Sequence, residues 1–245
     1  MFWCNPHNIY ENIIFNFDVQ AFLIWLEQPR WQGIQLIMMA FSASTDCIAP
    51  NSVIDWQHPL ILAKATQLAE GEVDEVVIAR RCFEFVRDDI KHSWDYRLNP
   101  VTCMASDVLR YGTGYCYAKS HLLAALLRAN QIPAGLCYQR LSLDEDVNSF
   151  CLHGLNAVYL KQYGWYRIDA RGNKPGIEAA FCPPLEQLAF TIAKPGEGDL
   201  PGIYDRPLAV VRHVLAHYTT IEQVFAHLPD RSIYDDDEFN SPSGY

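Results

Sequence analysis

Basic residues are scarce in this chain: 19 lysines and arginines stand against 29 acids, a formal charge of −10. Nucleic-acid binding needs clustered cations to neutralise phosphates, and no long basic run exists. Part of the acid excess is local, because Asp230, Asp235, Asp236, Asp237 and Glu238 crowd the C-terminus. Such a block reads as a solvated tail over 230–245. Long apolar runs are also lacking. Ala21–Leu26 and Ile34–Phe41 are interrupted by Glu27, Pro29 and Arg30, and neither approaches the roughly 20 residues that span a bilayer. No basic n-region precedes a compact apolar run, so the start does not read as a secretory signal. Nothing points to a membrane partner.

The eight cysteines include no C-x-x-C pair, and no Cys/His cassette suits zinc. Their irregular spacing in a chain of 245 residues is unlike a disulfide framework, so most are expected reduced and buried. G-x-x-x-x-G-K-[ST], G-x-G-x-x-G and H-E-x-x-H are absent, which leaves nucleotide-binding and zincin readings without support.

Half of the residues are apolar and 20% charged, an ordinary globular composition. A chain of this size buries about 70–75% of its unfolded surface, enough for a core without metal or crosslinks. Residues 1–40 differ in composition and read as a poorly packed extension, with Met38 or Met39 as an alternative start. A single domain is expected over 41–229. Helices are expected at His58–Leu68, at Asp74–Ile90 and, apolar on nearly every face, at Tyr117–Arg128. The period then changes to two. Strands are expected at Ala134–Leu141, Leu152–Leu160, Trp165–Ala170 and Leu188–Ile192, with helices following at Leu208–His217 and Thr220–His227. Helices first and an antiparallel sheet after is an α+β pattern.

The informative feature is Cys116 at the turn Thr113-Gly114-Tyr115, opening the apolar helix, with His153 and Asp169 on successive strands. A helix N-terminus presents unpaired N–H groups and the positive end of its dipole, and both favour a thiolate. The same N–H groups suit an oxyanion. Gly112 and Gly114 leave room for a substrate backbone. A nucleophile of this kind needs a base, and the base needs an orienting carboxylate. In a hairpin, opposed residues share a constant index sum. A three-residue loop at Lys161–Tyr163 therefore puts Asp169 opposite Leu155, with His153 its diagonal neighbour on the same face; a two-residue loop separates them.

Four stretches together resemble the transglutaminase-like superfamily: Ser106–Cys116 with its G-T-G-Y-C turn, Leu126–Ala134 with Arg128 and Ile132-Pro133-Ala134, His153–Tyr159, and Gly164–Asp169. The resemblance covers roughly residues 75–172. It implies a papain-like α+β fold, as in small bacterial-type members, with the nucleophile on a buried central helix packed on an antiparallel sheet. It also implies a Cys-His-Asp triad of Cys116, His153 and Asp169, no cofactor, and a peptide, protein or small amide substrate. The aromatic common two residues after the histidine is Leu155 here, which bears on pocket shape. For the additional oxyanion donor Trp94 and Tyr111 are candidates; Gly114, Tyr115 and Trp165 are candidate substrate contacts, although Trp165 equally serves as a hairpin anchor.

The implied activity is thiol-dependent acyl transfer on amide bonds: hydrolysis, as in peptidases and amidases, or transfer. The alternatives are a non-catalytic binding scaffold and acyl transfer from a small thioester, as in arylamine acetyltransferases, which use the same three residue types. A cytoplasmic location is expected. Cys137 and Cys151 read as strand core thiols, Cys151 on the face away from His153, and His121 as packing. Arg171 suits either a substrate carboxylate or a surface acid. The segment from Phe181 onward is expected to cover the cleft. If translation starts at Met38 or Met39, intact mass of the native protein falls short of 28.0 kDa by that segment.

Overall fold

The computed structural model describes residues 47–143 and 148–233. The extension expected at 1–40 and residues 234–245 of the acidic tail lie outside them. Helix α1 spans Pro59–Ala69 and α2 spans Glu75–Asp88. Both starts follow from local chemistry: His58 Nδ1 accepts from Leu60 N, with Pro59 in the first turn, and Asp74 accepts from Val76 N at 2.8 Å. Then come β1 (Lys91–His92), α3 (Ser93–Tyr96), α4 (Ala105–Tyr111) and β2 (Thr113–Gly114). Helix α5, Cys116–Ala129, is next, and all but one of its side chains are buried. It is wrapped by α1, α2 and α4 and by strands β3 (Ala134–Ser142) and β4 (Phe150–Leu160).

The sheet is antiparallel in the order β5-β4-β3-β8, where β5 is Gly164–Ile168 and β8 is Gly198–Asp199. Strands β6 (Ala180–Cys182) and β7 (Leu185–Gln187) form a separate hairpin, followed by α6 (Ala209–His217) and α7 (Ile221–Ala226). The architecture is α+β. Leu160 pairs with Gly164 and Asn156 with Ile168, so the β4–β5 connection is three residues, Lys161–Tyr163, and its register carries Asp169 opposite Leu155.

The fourth strand is not Leu188–Ile192 but β8, which pairs with Gln139 and Arg140 of β3. The alternating apolar residues at 188–192 serve another end: Ala189 N donates to Asp169, and the Phe190 ring stands edge-on to His153. Helices α3 and α4 were not anticipated from periodicity. α4 is one of the clearest reasons why: its first-turn N–H at Ser106 donates at 3.0 Å to the Asp55 carboxylate, 51 residues away in sequence.

Arg128, fully buried near the end of α5, donates to the carbonyls of Ala134, Ala49 and Asp205 at 2.8, 2.7 and 2.8 Å. It joins the helix to β3 and to two loops. Its removal takes a donor from all three, although Asp205 O keeps Asn51 Nδ2 at 3.3 Å and Ala49 is exposed; a buried carbonyl left without a donor costs about 1–3 kcal/mol. Arg128→Met is therefore expected to lower the unfolding free energy by about 2–4 kcal/mol, read as a lower urea midpoint at unchanged slope.

Candidate active site

Cys116 is the first residue of α5, and no side chain caps that helix. The preceding turn is held by β1–β2 pairing, with Lys91 opposite Thr113 and His92 opposite Gly114. Strand β4 crosses close to the helix start because residue 154 has no side chain. A Cβ at Gly154 would sit 3.0 Å from Tyr117 Cα and 3.2 Å from Tyr117 N. Tyr117 Oη also donates to Leu152 O, and Asn156 Nδ2 donates to Ser120 O at 2.9 Å. These contacts seat β4 against the first turns of α5.

His153 is thereby brought to the thiol. Its Nε2 lies 2.7 Å from Asp169 Oδ2, and Cys116 lines the same cleft and acts electrostatically on the same imidazole. Asp169 is completely buried. Arg171 N donates to its Oδ1 at 3.1 Å and Ala189 N to its Oδ2 at 3.0 Å. Burial alone would depress the His153 pKa. The Asp169 charge, then the Cys116 charge, and the hydrogen bond to Asp169 outweigh it and raise the imidazole to about 10. Burial likewise opposes ionisation of Asp169, but the His153 charge and three hydrogen bonds hold its carboxyl below the ordinary range. The arrangement can hold a thiolate beside an imidazolium, with a carboxylate behind it.

Around this group lies a cleft of about 310 Å³. Trp94 and Tyr115 line it; Gly114, Tyr111 and Trp165 are not among its lining residues. The space beside Gly114 is taken by Ala118 Cβ and Thr102 Oγ1, at 3.0 and 3.2 Å from a built Cβ, rather than left for a substrate. Tyr111 is exposed at the end of α4, and Trp165 packs edge-on to Tyr159. The Tyr115 hydroxyl donates to Ile221 O at 2.7 Å, which leaves its ring as the part facing the cleft. Cys151 lines the cleft with His153 and Cys116. Two residues apart along a strand, Cys151 and His153 share a face, so the placement of Cys151 on the opposite one is corrected. Arg171 is buried and pairs with the part-exposed Asp95 through two bonds of 2.8 and 3.3 Å, the acid-pairing alternative of the two.

Sequence reasoning missed His92, Phe190 and Phe225, which also line the cleft. None carries a local signal; each arrives through pairing or packing with distant residues. His92 is buried against Tyr115, and burial followed by the Arg171 charge pushes its pKa well below the ordinary value. Among the described residues no group of three or more His, Cys, Asp or Glu side chains could hold a metal ion, and no helix is long and apolar enough to cross a membrane.

Residues 63–170 match the family model described as the transglutaminase-like superfamily. This segment is similar to that superfamily. The transglutaminase-like segment runs from within α1 to the residue after Asp169. Among solved structures, a cysteine protease candidate from Cytophaga hutchinsonii is 17% identical with a TM-score of 0.42, over 52% of this chain and 42% of that one. The periplasmic domain of TgpA from Pseudomonas aeruginosa is 18% identical with a TM-score of 0.39, over 51% and 45%. A protease candidate from Parabacteroides distasonis is 12% identical with a TM-score of 0.34, over 49% and 24%. The aligned part thus spans less than half the length of each of these structures. No curated protein matches the chain.

A ring held at about 10 is still an imidazolium at pH 8, where an ordinary histidine, near 6.5, is neutral. Ring-labelled NMR is expected to show His153 charged at pH 8. Asp169→Asn and Cys116→Ser should each move its midpoint downward, since each removes an interaction that raises it. A wild-type midpoint near 6.5 would contradict the coupled triplet.

Proposed function

We propose that this protein is a thiol-dependent enzyme acting on amide bonds, with Cys116 as nucleophile, His153 as acid and base, and Asp169 as the group that orients and charges His153. The observation that carries this is the buried His153–Asp169 contact of 2.7 Å on the imidazole that meets Cys116 at a helix start. In the proposed cycle the thiolate sulfur bonds to the acyl carbon and the carbonyl electrons move onto oxygen, beside the unpaired N–H groups of α5. Collapse breaks the C–N bond, and the amine leaves with the His153 proton. Water then attacks the thioester, giving up a proton to His153 and releasing the acid and the thiolate. An amine in place of water gives transfer. Hydrolysis, as in peptidases and amidases, is the preferred version, and the substrate is a peptide, a protein or a small amide. Cys82, Cys103, Cys116, Cys137 and Cys151 carry no disulfide, whereas Cys182 is disulfide-bonded; on the reduced majority we place the protein in the cytoplasm.

Burial pushes the Cys82, Cys137 and Cys151 thiols up to about 12 and Cys103 to about 11, which makes them poor nucleophiles at neutral pH. Iodoacetamide at pH 7, followed by peptide mass mapping, should therefore alkylate Cys116 at least about tenfold faster than any of these four. The advantage should vanish in His153→Ala. Peptide amides hydrolysed by the native protein should survive the alkylated one. A Cys116 labelled no faster than Cys47 would instead favour a transglutaminase-like scaffold used only for binding.

A further inference from the structure

The cleft beside Cys116 has walls of a definite chemistry. From the helical side come Trp94 of α3 and Phe225 of α7, stacked with centroids 3.7 Å apart and planes within 1°. Arg97 covers Trp94 at 3.6 Å, so the wall offers the open face of Phe225, which is 45% exposed. From the sheet side come Leu141, Leu143 and Leu152, and Phe190 stands at the floor against His153. Leu143 is 49% exposed, so a second large apolar side chain faces solvent at the same cleft. Exposed apolar surface converging on a reactive group marks a binding surface.

The charges in these walls are already committed. Arg171 is held by Asp95. Glu197 accepts from Ser142 N through one oxygen at 3.0 Å, and from Ala193 N and Lys194 N through the other at 2.9 Å each. The charge of His153 faces Asp169 and Cys116. An anionic side chain entering the cleft would lose water without meeting a free counter-charge, and a cationic one would meet only Glu197, whose carboxylate three backbone N–H groups already hold. An aromatic or large aliphatic one would trade water for Phe225, Leu143 and Phe190.

We infer that the acyl donor of this site is neutral and carries a bulky apolar side chain, aromatic above all, beside the bond that is attacked. The inference rests on the thiol reading above and goes further by naming the acyl group. The cleft volume of about 310 Å³ accommodates one such side chain together with its amide.

The test uses the full chain and three reagents of one chemistry: the chloromethyl ketones of acetyl-phenylalanine, acetyl-aspartate and acetyl-lysine. In each, the Cys116 sulfur bonds to the methylene carbon and chloride leaves. Iodoacetamide, which has no side chain, is the yardstick for thiol reactivity. Relative to iodoacetamide, the phenylalanyl reagent should label Cys116 at least about tenfold faster than either charged reagent, the ratio expected from burying one aromatic side chain. Phe225→Ser should reduce that preference several-fold, and Leu143→Ser should do the same if Phe225→Ser fails to fold. Three rates within twofold of one another, a faster charged reagent, or no reaction with any of the three would overturn the assignment while prompt iodoacetamide labelling leaves the thiol reading standing. Failure of iodoacetamide to label Cys116 selectively would remove both.

Discussion

A helix buried on every face has no solvent side to turn toward, so it must be wrapped completely, and its polar side chains are used up inside the fold. α5 is such a helix. Three helices cover part of its surface and the sheet covers the rest. Its C-terminal end is fastened by Arg128 to three carbonyls, and its N-terminal end emerges at Cys116 without a side-chain cap. Wrapping fixes the position of the first turn, and the first turn fixes the thiol. The closeness of β4 then follows from a single missing side chain at Gly154, because any Cβ there would press on the backbone of Tyr117. Packing of the core and geometry of the site are one constraint here.

That link explains which parts of the molecule were legible in the sequence. The largely apolar run after Cys116 and the period-two strands around His153 are local patterns, strong enough to place α5, β3, β4 and β5 within a few residues. Parity of the Lys161–Tyr163 connection sufficed to bring Asp169 to the His153 side of the hairpin, since a side-chain period of two allows only two outcomes. The short elements were not legible. Two to seven residues hold little periodicity, and what orders them comes from afar: Asp55 capping α4, β3 recruiting β8, the Asp169 carboxylate drawing Ala189 out of any ladder. Candidate contacts failed in the same way. Tyr111 and Trp165 are near the motif in sequence and away from the cleft in space, whereas Phe225, 109 positions after Cys116, lines it.

The C-terminal segment illustrates how a site is completed from outside its own motif. Residues 63–170 contain the Cys, His and Asp. Yet Asp169 receives a hydrogen bond from Ala189, His153 is faced by Phe190, and α7 contributes Phe225. The family segment carries the chemical groups; the chain after it closes their surroundings and lowers the local polarity. Burial makes the interaction between Asp169 and His153 stronger than it would be in water, and it makes any unpaired partner costlier.

Two buried histidines line this cleft, and their environments drive them apart. Both lose water. His153 recovers the loss, because Asp169 stands 2.7 Å away and Cys116 adds a second acidic partner. His92 does not. Its nearest carboxylate, Asp95, is 3.6 Å away and is already shared by Arg171 at 2.8 Å and Lys174 at 2.7 Å. Those two cations hold Asp95 down to about 2 even though burial opposes its ionisation. What reaches His92 after burial is therefore chiefly the repulsion of Arg171, and the ring stays neutral. Arg171 acts on both sides of this division: its backbone N–H steadies Asp169 behind the charged histidine, while its guanidinium consumes the carboxylate that would charge the other. Opposite pKa directions in adjacent imidazoles are what separates a group that holds a proton for transfer from one that does not. Here the separation is set by the position of one arginine, two residues past Asp169.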